Sequence, residues 1–147
     1  MEEPLIIRQP LSPEDYELMY DLRWRVLMEP WSQPRGSERD DIETESYPFI
    51  VTLNEKIVAT ARFQKNSENE GQIRDLAVEE DYRNRRIGSI LMRYIEGFAI
   101  SLGIKNIIIN TRKTVKEFFE KLDYEIMGEK TLHFDEIERN VMIKKLI

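Results

Sequence analysis

The feature that most constrains the fold is a long amphipathic helix pattern with a strand pattern on each side. Apolar residues recur at i, i+3, i+4 and i+7 from Ile87 to Leu102, and Gly103 follows as a stop signal. Residues 72–78 form the strand pattern before this helix, and the continuous apolar run at 107–109 follows it. Strands joined by a helix pair in parallel through a right-handed crossover, so the sequence predicts at least one buried parallel pair.

The remaining segments predict one α/β (α+β) domain over residues 1–147 with the order β-α-β-β-β-α-β-α-β-β. Ser12 and Asp15 frame Pro13 as in a capping box, and the helix that they begin is expected to end before Pro30. Further strands are predicted at 5–7, 49–53, 57–63, 124–127 and 141–143, with a short helix at 115–122. Residues 30–48 are acidic and predicted to be a mobile surface segment, and residues 128–140 a connection.

Composition removes several function classes. The chain has 147 residues, no Cys and one His, His133, which excludes disulfides, cysteine nucleophiles and multi-histidine metal sites. A net charge of −6 repels polyanions, so nucleic acid is not an expected partner. The absence of a signal-peptide pattern and of a spanning apolar run predicts a cytoplasmic protein without membrane association. Any anion must therefore be captured locally.

A basic loop offers such local capture. Residues 83–89 carry Arg83, Arg85 and Arg86, then Gly88 and Ser89, and lead directly into the long helix. The first N–H groups of a helix lack intrahelical acceptors, so a phosphate there meets several backbone donors and the positive end of the dipole. The alternative is that these arginines are surface charges that offset the acidic residues at 79–81.

Element order and loop together resemble the GCN5-related N-acetyltransferase (GNAT) superfamily over nearly the whole chain. In that family the loop after the fourth strand reads R/Q-x-x-G-x-G/A and cradles the pyrophosphate of acetyl-CoA. Arg83 and Gly88 match, whereas Arg86 replaces the first glycine. The resemblance implies acetyl-CoA as cosubstrate, no metal, and a mixed, mostly antiparallel sheet whose central parallel pair splays into the acyl-CoA cleft, with helices on both faces.

The resemblance also implies where acetyl-CoA lies. Residues 22–27, 110–112 and 139–144 and the loop with Gln33 look like small single-domain members near the glyphosate N-acetyltransferase group. By that likeness the thioester carbonyl lies along residues 76–78, polarised by a backbone N–H assigned to Val78. The residues assigned to the cosubstrate are Leu76, Ala77, Val78, Arg83, Asn84, Arg85, Arg86, Ile87, Gly88, Ser89, Phe118 and Phe119.

Two groups that relatives use for proton transfer are missing. The family's Phe-Tyr pair aligns with Phe118-Phe119, so Phe119 cannot protonate the departing thiolate and water is the expected donor. Core packing is the alternative role for this aromatic pair. Arg139 stands where the related branch has a His, and because Arg is not deprotonated in proteins, it is expected to act through its charge.

Three other residues are candidates for proton transfer. Asp75 is a general base acting directly or through water, or else it points to the other face of the sheet. His133 could act if the connection that carries it folds over the cleft, and is otherwise a surface residue. Tyr124 is an acid candidate or a core aromatic with its hydroxyl at the edge.

The acceptor end is predicted to be positive. By the resemblance Arg74, Arg112 and Arg139 point toward the acceptor, and Arg23 or Arg25 joins them from the first helix. Converging guanidinium groups would bind an anionic group of the acceptor and lower the pKa of a nearby ammonium. Alternatively, each arginine belongs to a surface ion pair, with Asp75, Glu117 and Glu136 as the available partners.

The leading hypothesis is an acetyl-CoA-dependent N-acetyltransferase for a small amine that carries an anionic group. The second is a catalytically degenerate acyl-CoA sensor that docks through residues 30–48. The third is a protein N-acetyltransferase that acts on N-termini or lysines. Exposed strand edges near the closing hairpin leave a homodimer open.

Overall fold

The structure is a computed structural model that describes residues 4–133 and 137–146, with side chains outside 128–139. Its seven strands form one sheet in the order β1-β2-β3-β4-β5-β7-β6, and three α-helices flank it. The strands are β1 (Ile6–Arg8), β2 (Tyr47–Leu53), β3 (Lys56–Lys65), β4 (Glu70–Val78), β5 (Asn106–Arg112), β6 (Glu125–His133) and β7 (Ile137–Lys145), and the helices are α1 (Pro13–Arg23), α2 (Ile87–Ser101) and α3 (Lys116–Glu120).

The predicted element order is confirmed. β4 and β5 are parallel, and every other neighbouring pair in the described sheet is antiparallel. The predicted mixed, mostly antiparallel sheet is therefore correct. The long helix pattern is α2, and Gly103 follows it with a φ of +84°, a conformation that glycine adopts without a Cβ clash.

Two apolar clusters hold the helices against opposite faces of the sheet. Leu91 and Ile95 of α2 pack with Phe63 and other buried residues of the larger cluster. Met19 and Leu22 of α1 pack with a smaller set that includes Ile50, Ile57 and Ala77. Burial of these apolar side chains is the main stabilising contribution to such a layered arrangement.

The start of α1 has the predicted capping box. The backbone N–H of Asp15 donates to Ser12 Oγ at 3.0 Å, and the Asp15 carboxylate accepts from the N–H of Ser12 and of Leu11. Arg8 adds an ion pair to Asp15 at 2.8 Å. The hydrogen bond from Arg8, with those from the N–H groups of Leu11 and Ser12, holds the pKa of Asp15 well below its usual range, because each favours the charged carboxylate.

The C-terminal end of α1 changes its winding. The α-helix ends at Arg23, a π-helical turn spans Trp24–Met28, and a 3-10 turn spans Glu29–Trp31. The α-helix thus ends before Pro30, as the sequence predicted, and Pro30 lies within the 3-10 turn. Single π-turns in α-helices often occur at functional sites, and this one borders the cleft described below.

The acidic segment after Pro30 is more than the surface segment that its composition predicted. Asp40 and Glu43 pair with Arg62, and Glu43 also pairs with Arg23. Both arginines are almost completely buried. These contacts were not predictable from the sequence, because the segment has few apolar residues and attaches to the sheet through charges.

The predicted connection at 128–140 is wrong. β6 continues to His133 and β7 begins at Ile137, so His133 is the last residue of a strand and pairs with Ile137. β6 is at the edge of the sheet, where charged residues are common because they discourage pairing with another chain. This polar character concealed the strand in the sequence. The side chains of His133 and Arg139 lie outside the described part of the chain.

Candidate active site

The site begins where β4 and β5 separate. Their parallel pairing covers three positions and ends at Gln72 and Ile108, whereas the strands continue to Val78 and Arg112. The predicted splayed pair is therefore present. The open strand edges border a cleft of about 1810 Å³. This exceeds the several hundred Å³ typical of a pocket for a drug-sized ligand and leaves room for two reactants.

Most of the predicted site residues line this cleft. They come from the π-helical turn after α1, from β4, from the loop into α2, from the first turn of α2, and from α3 and β5. They are Arg25, Arg74, Asp75, Leu76, Val78, Arg83, Asn84, Arg86, Ile87, Gly88, Ser89, Arg112, Phe118 and Phe119.

Val78 has its backbone polar groups on the open edge of β4. The N–H of the next residue, Glu79, donates to Val58 on β3 at 2.8 Å, and successive N–H groups along a strand point to opposite edges. The Val78 N–H therefore points away from β3, toward the gap left by β5. Arg83 Nε donates to the Val78 carbonyl at 3.2 Å, which agrees with this orientation.

The loop before α2 leaves the start of that helix open to an anion. Arg86 is the N-cap residue, and its side chain contains no acceptor atom for the first N–H groups of the helix. Ile90 is the first residue whose N–H reaches back, to the Arg86 carbonyl at 3.0 Å. The start of α1, by contrast, is closed by a capping box in which a side chain accepts from a backbone N–H. The donors at residues 87–89, together with Arg83 and Arg86, fit a diphosphate.

Arg86 adopts a left-handed backbone conformation that glycine takes up more readily than other residues. Its φ is +64° and its ψ is 12°, in the left-handed region that a residue with a Cβ disfavours. The loop thus keeps the backbone course implied by a glycine at this position and adds a guanidinium.

Gly88 lies in close contact with the wall of the cleft. A Cβ there would lie 3.3 Å from Phe118 Cζ and 3.7 Å from Val78 Cγ2. Phe118 contacts Phe119 edge to face at 4.9 Å between ring centroids, and Phe119 is mostly buried beside Tyr124. The aromatic pair therefore serves both as core and as one wall of the cleft.

Three predicted site residues lie elsewhere. Ala77 is buried in the cluster under α1, because alternation along β4 turns its side chain away from the cleft. Arg85 stacks over the Tyr82 ring at 5.0 Å. Arg23 is completely buried and pairs with Glu43, so its prediction as an acceptor-binding residue is wrong.

The remaining predicted arginines differ in how far their charges are paired. Arg25 uses both Nη groups on Glu79 at 2.9 Å and its Nε on Asp21 at 2.8 Å, and these bonds raise its pKa. The Arg25 guanidinium is therefore engaged in ion pairs within the protein, and the prediction that Arg25 binds the acceptor is not supported. Arg74 lies 3.3 Å from Asp40 and is one third exposed, and Arg112 lies over the Trp31 ring at 5.9 Å. Both residues line the cleft.

The candidates for proton transfer are held by other groups. Asp75 lines the cleft, but its carboxylate accepts from Arg62 Nε at 2.8 Å and is thus engaged by a buried guanidinium, which does not support a role as general base. Tyr124 is buried and donates to Glu96 at 2.8 Å. Burial and the Glu96 carboxylate raise the pKa of Tyr124 far above its usual value, so Tyr124 is a core residue.

Several residues in or beside the cleft were not predicted from the sequence. Trp31 lines the cleft under Arg112, and Glu79 neutralises Arg25. Arg62 is the buried partner of Asp75. An arginine in the middle of a strand that is otherwise apolar was the available signal for Arg62, since such a charge must be paired when buried.

Comparison with known families identifies the class of protein. The model described as the acetyltransferase (GNAT) family matches residues 16–124, about three quarters of the chain. The chain therefore belongs to the GNAT family, and the resemblance inferred from the loop is confirmed. It is an N-acetyltransferase that uses acetyl-CoA.

Curated relatives agree with this assignment. An uncharacterized N-acetyltransferase, YitI of Bacillus subtilis (strain 168), is 26% identical over 125 residues, which cover 81% of this chain and 82% of the relative. An amino-acid acetyltransferase of Buchnera aphidicola subsp. Acyrthosiphon pisum (strain APS) is 29% identical over 99 residues. That match covers 65% of this chain and 22% of the relative, so the chain spans about a fifth of that protein's length.

Solved structures share the fold. A putative N-acetyltransferase from Lactobacillus plantarum has a TM-score of 0.86 at 21% identity, covering 97% of this chain and 99% of the other. An aminoglycoside 6'-N-acetyltransferase complexed with coenzyme A has a TM-score of 0.82 at 19% identity, covering 97% of both chains. Within the described residues no cluster of His, Asp and Glu could hold a metal, and no helix is long and apolar enough to span a membrane.

Proposed function

We propose that this chain transfers the acetyl group of acetyl-CoA to a small amine that also carries an anionic group. The observation that carries the proposal is the pair Arg74 and Arg112 on the two strands that diverge. Both line the cleft, and the end that they border is the proposed acceptor end, in a chain whose net charge is −6. A positive end in an acidic protein favours an anionic group on the acceptor, because guanidinium binds carboxylate and phosphate through paired hydrogen bonds.

The other end of the cleft is proposed to hold the phosphates of the cosubstrate. Arg83, Asn84, Arg86 and Ser89 line it, and the open N-terminus of α2 supplies backbone donors. Acetyl-CoA contributes the activated acetyl group, a thioester that the amine attacks directly. The Val78 N–H, on the open edge of β4, is proposed to donate to the thioester carbonyl and stabilise the negative charge that develops on its oxygen.

Proton transfer is proposed to depend on the field of the site. The positive charges of Arg74 and Arg112 lower the pKa of an acceptor ammonium beside them, which raises the fraction of neutral amine that can attack. Phe119 cannot donate a proton, and the Tyr124 hydroxyl is engaged by Glu96. Water entering the open cleft is therefore the proposed proton donor to the thiolate.

The test compares two acceptors on two variants. Arg74→Ala and Arg112→Ala are each expected to lower kcat/KM for an anionic amine about tenfold, the effect of losing one charge-assisted contact of about 1.5 kcal/mol. An amine of similar size without the anionic group should lose much less. Arg35→Ala is the matched control, because Arg35 is an exposed arginine paired with Asp21 outside the cleft lining. Equal losses with both amines would contradict an anionic acceptor.

A second function is supported by the residue at position 119. A Phe in place of the proton-donating Tyr suits a protein that binds acyl-CoA without turnover and acts as a sensor. Release of CoA thiol that depends on added amine separates the two functions. Binding of acetyl-CoA without release on a broad panel of amines would favour the sensor.

A further inference from the structure

A buried cluster of charged residues lies beside the acetyl-binding strand on the α1 side of the sheet. At its centre is Arg62 of β3, whose side chain is 1% exposed. Its Nε donates to Asp75 at 2.8 Å, its Nη1 donates to Asp40 at 2.9 Å, and Glu43 lies 3.2 Å from that same nitrogen. A buried guanidinium needs such partners, because an unpaired charge in the interior is strongly destabilising.

A second buried guanidinium joins the cluster. Arg23 of α1 donates from Nη1 to Glu43 at 2.6 Å and to the Glu38 carbonyl at 3.1 Å, and the same nitrogen lies 3.9 Å from Asp75. The Asp75 carboxylate thus lies between two buried cations that come from different elements. This arrangement fixes the position of a strand residue from outside its own strand.

The backbone at Asp75 explains why the strand needs fixing there. Ala77 pairs with Thr60 and Arg74 pairs with Arg62, so the two residues between them in β4 face a single residue of β3. This is a β-bulge, and Asp75 occupies it with a φ of +58°. A residue with a Cβ disfavours this conformation, so the surrounding contacts must hold it.

We propose that Arg62 and Asp75 form a clamp that fixes the bulge in β4 and thereby positions the Val78 N–H for the thioester. The bulge sets the direction of the last three residues of β4, which end at Val78. Arg62 and Asp75 are positioning residues in this account and exchange no proton with the reactants. The inference rests on the proposed role of the Val78 N–H.

The principal variants remove each half of the clamp. Arg62→Met removes the charge at similar length, and Asp75→Asn keeps a residue that tolerates positive φ while it removes the carboxylate charge. Each is expected to lower kcat at least tenfold, with the dissociation constant of CoA changed less than twofold, because the loop before α2 is untouched. The double variant should be no worse than the poorer single variant, since both break the same contact.

The control breaks a comparable pair away from the cleft. Lys144 pairs with the buried Glu96 at 2.8 Å, and neither residue lines the cleft. Lys144→Met should lower the melting temperature and leave kcat within twofold of wild type. If Arg62→Met behaves in the same way, the cluster only stabilises the fold and the proposal is overturned.

The pH profile separates the clamp from a general base at Asp75. If Asp75 were the base, Asp75→Asn would remove the acidic limb of the kcat/KM profile while Arg62→Met would keep substantial activity. The clamp predicts the same acidic limb in both variants and wild type, at reduced amplitude. Loss of the limb in Asp75→Asn alone would overturn the proposal.

Hydrogen exchange on a milder variant tests the clamp without turnover. It serves if Arg62→Met or Asp75→Asn does not fold, or if wild type acetylates none of the amines tested. Arg62→Lys keeps the charge but cannot reproduce the contacts of the planar guanidinium. Amide hydrogen exchange in β4 after the bulge should be at least fivefold faster in this variant than in wild type, with unchanged exchange in α2. Unchanged exchange in β4 would overturn the clamp whether or not the acceptor proposal holds.

Discussion

Arg86 gives a prediction in which stability and ligand affinity change in opposite directions. Arg86→Gly removes the cost of a left-handed conformation at a residue with a Cβ, whereas Arg86→Ala keeps that cost. The glycine variant is therefore expected to be more stable than the alanine variant by about 1 kcal/mol. For a chain of this length that difference corresponds to a melting temperature about 4 °C higher.

Both variants should bind CoA more weakly than wild type. A charge-assisted hydrogen bond contributes about 1.5 to 3 kcal/mol, and exposure of the Arg86 side chain reduces this to about 1 kcal/mol, which is about fivefold in the dissociation constant. Arg86→Lys keeps both the charge and the conformational cost, so it should lie near wild type in both assays.

The assays are thermal unfolding and calorimetric titration with CoA on all three variants. Equal melting temperatures for the glycine and alanine variants would refute the argument from backbone strain. Unchanged CoA affinity in both would refute a role for Arg86 in anion binding. The two results are independent, so each part of the argument can fail by itself.

Three further predictions concern residues outside the phosphate loop. The pKa of Asp40 is held at about 2, below its ordinary value of 3.8, mainly by hydrogen bonds from Arg62. Ionised Asp40 therefore stabilises the fold above pH 3.8. In denaturant titrations, the destabilisation that Asp40→Asn causes at neutral pH should shrink as the pH falls to about 2. Tyr124→Phe should lower the free energy of unfolding by about 1.5 kcal/mol through loss of the hydrogen bond to Glu96, and it should leave kcat unchanged. A large fall in kcat would instead indicate that Tyr124 acts as a general acid. Ser12→Ala should cost about 1 kcal/mol of stability without altering kcat, and an unchanged melting temperature would contradict the capping argument.

The fold was predictable because its elements carry local signals. The periodicity of α2, the capping box at Ser12 and the apolar run in β5 each indicate one element, and their order selects the parallel pair. β6 was underestimated because an edge strand has little need of alternation between apolar and polar residues. Its true length depends on pairing with β7, which no local pattern encodes.

The phosphate end of the site was more predictable than the acceptor end. Its loop and helix are contiguous in sequence, so Arg83, Arg86 and Gly88 could be placed together before the fold was known. At the acceptor end, the state of each arginine depends on partners far along the chain. Arg25 pairs with Glu79, 54 residues away, and this contact could not be read from either segment alone.

Several sequence predictions extend beyond the fold. A position near the glyphosate N-acetyltransferase group, a cytoplasmic location, a homodimer and a substrate-binding or charge-based role for Arg139 remain predictions. Arg139 is the register partner of Arg112 across β5 and β7, so its backbone lies beside a residue that lines the cleft.

The central claim is that the cleft between β4 and β5 binds acetyl-CoA and delivers its acetyl group to an anionic amine. The most direct test is calorimetric titration of CoA and acetyl-CoA into the protein, followed by thiol release from acetyl-CoA over a panel of anionic amines. The account predicts saturable binding of both ligands and thiol release that depends on the amine. Absence of CoA binding at millimolar ligand would contradict the account and return the loop arginines to the role of surface charges.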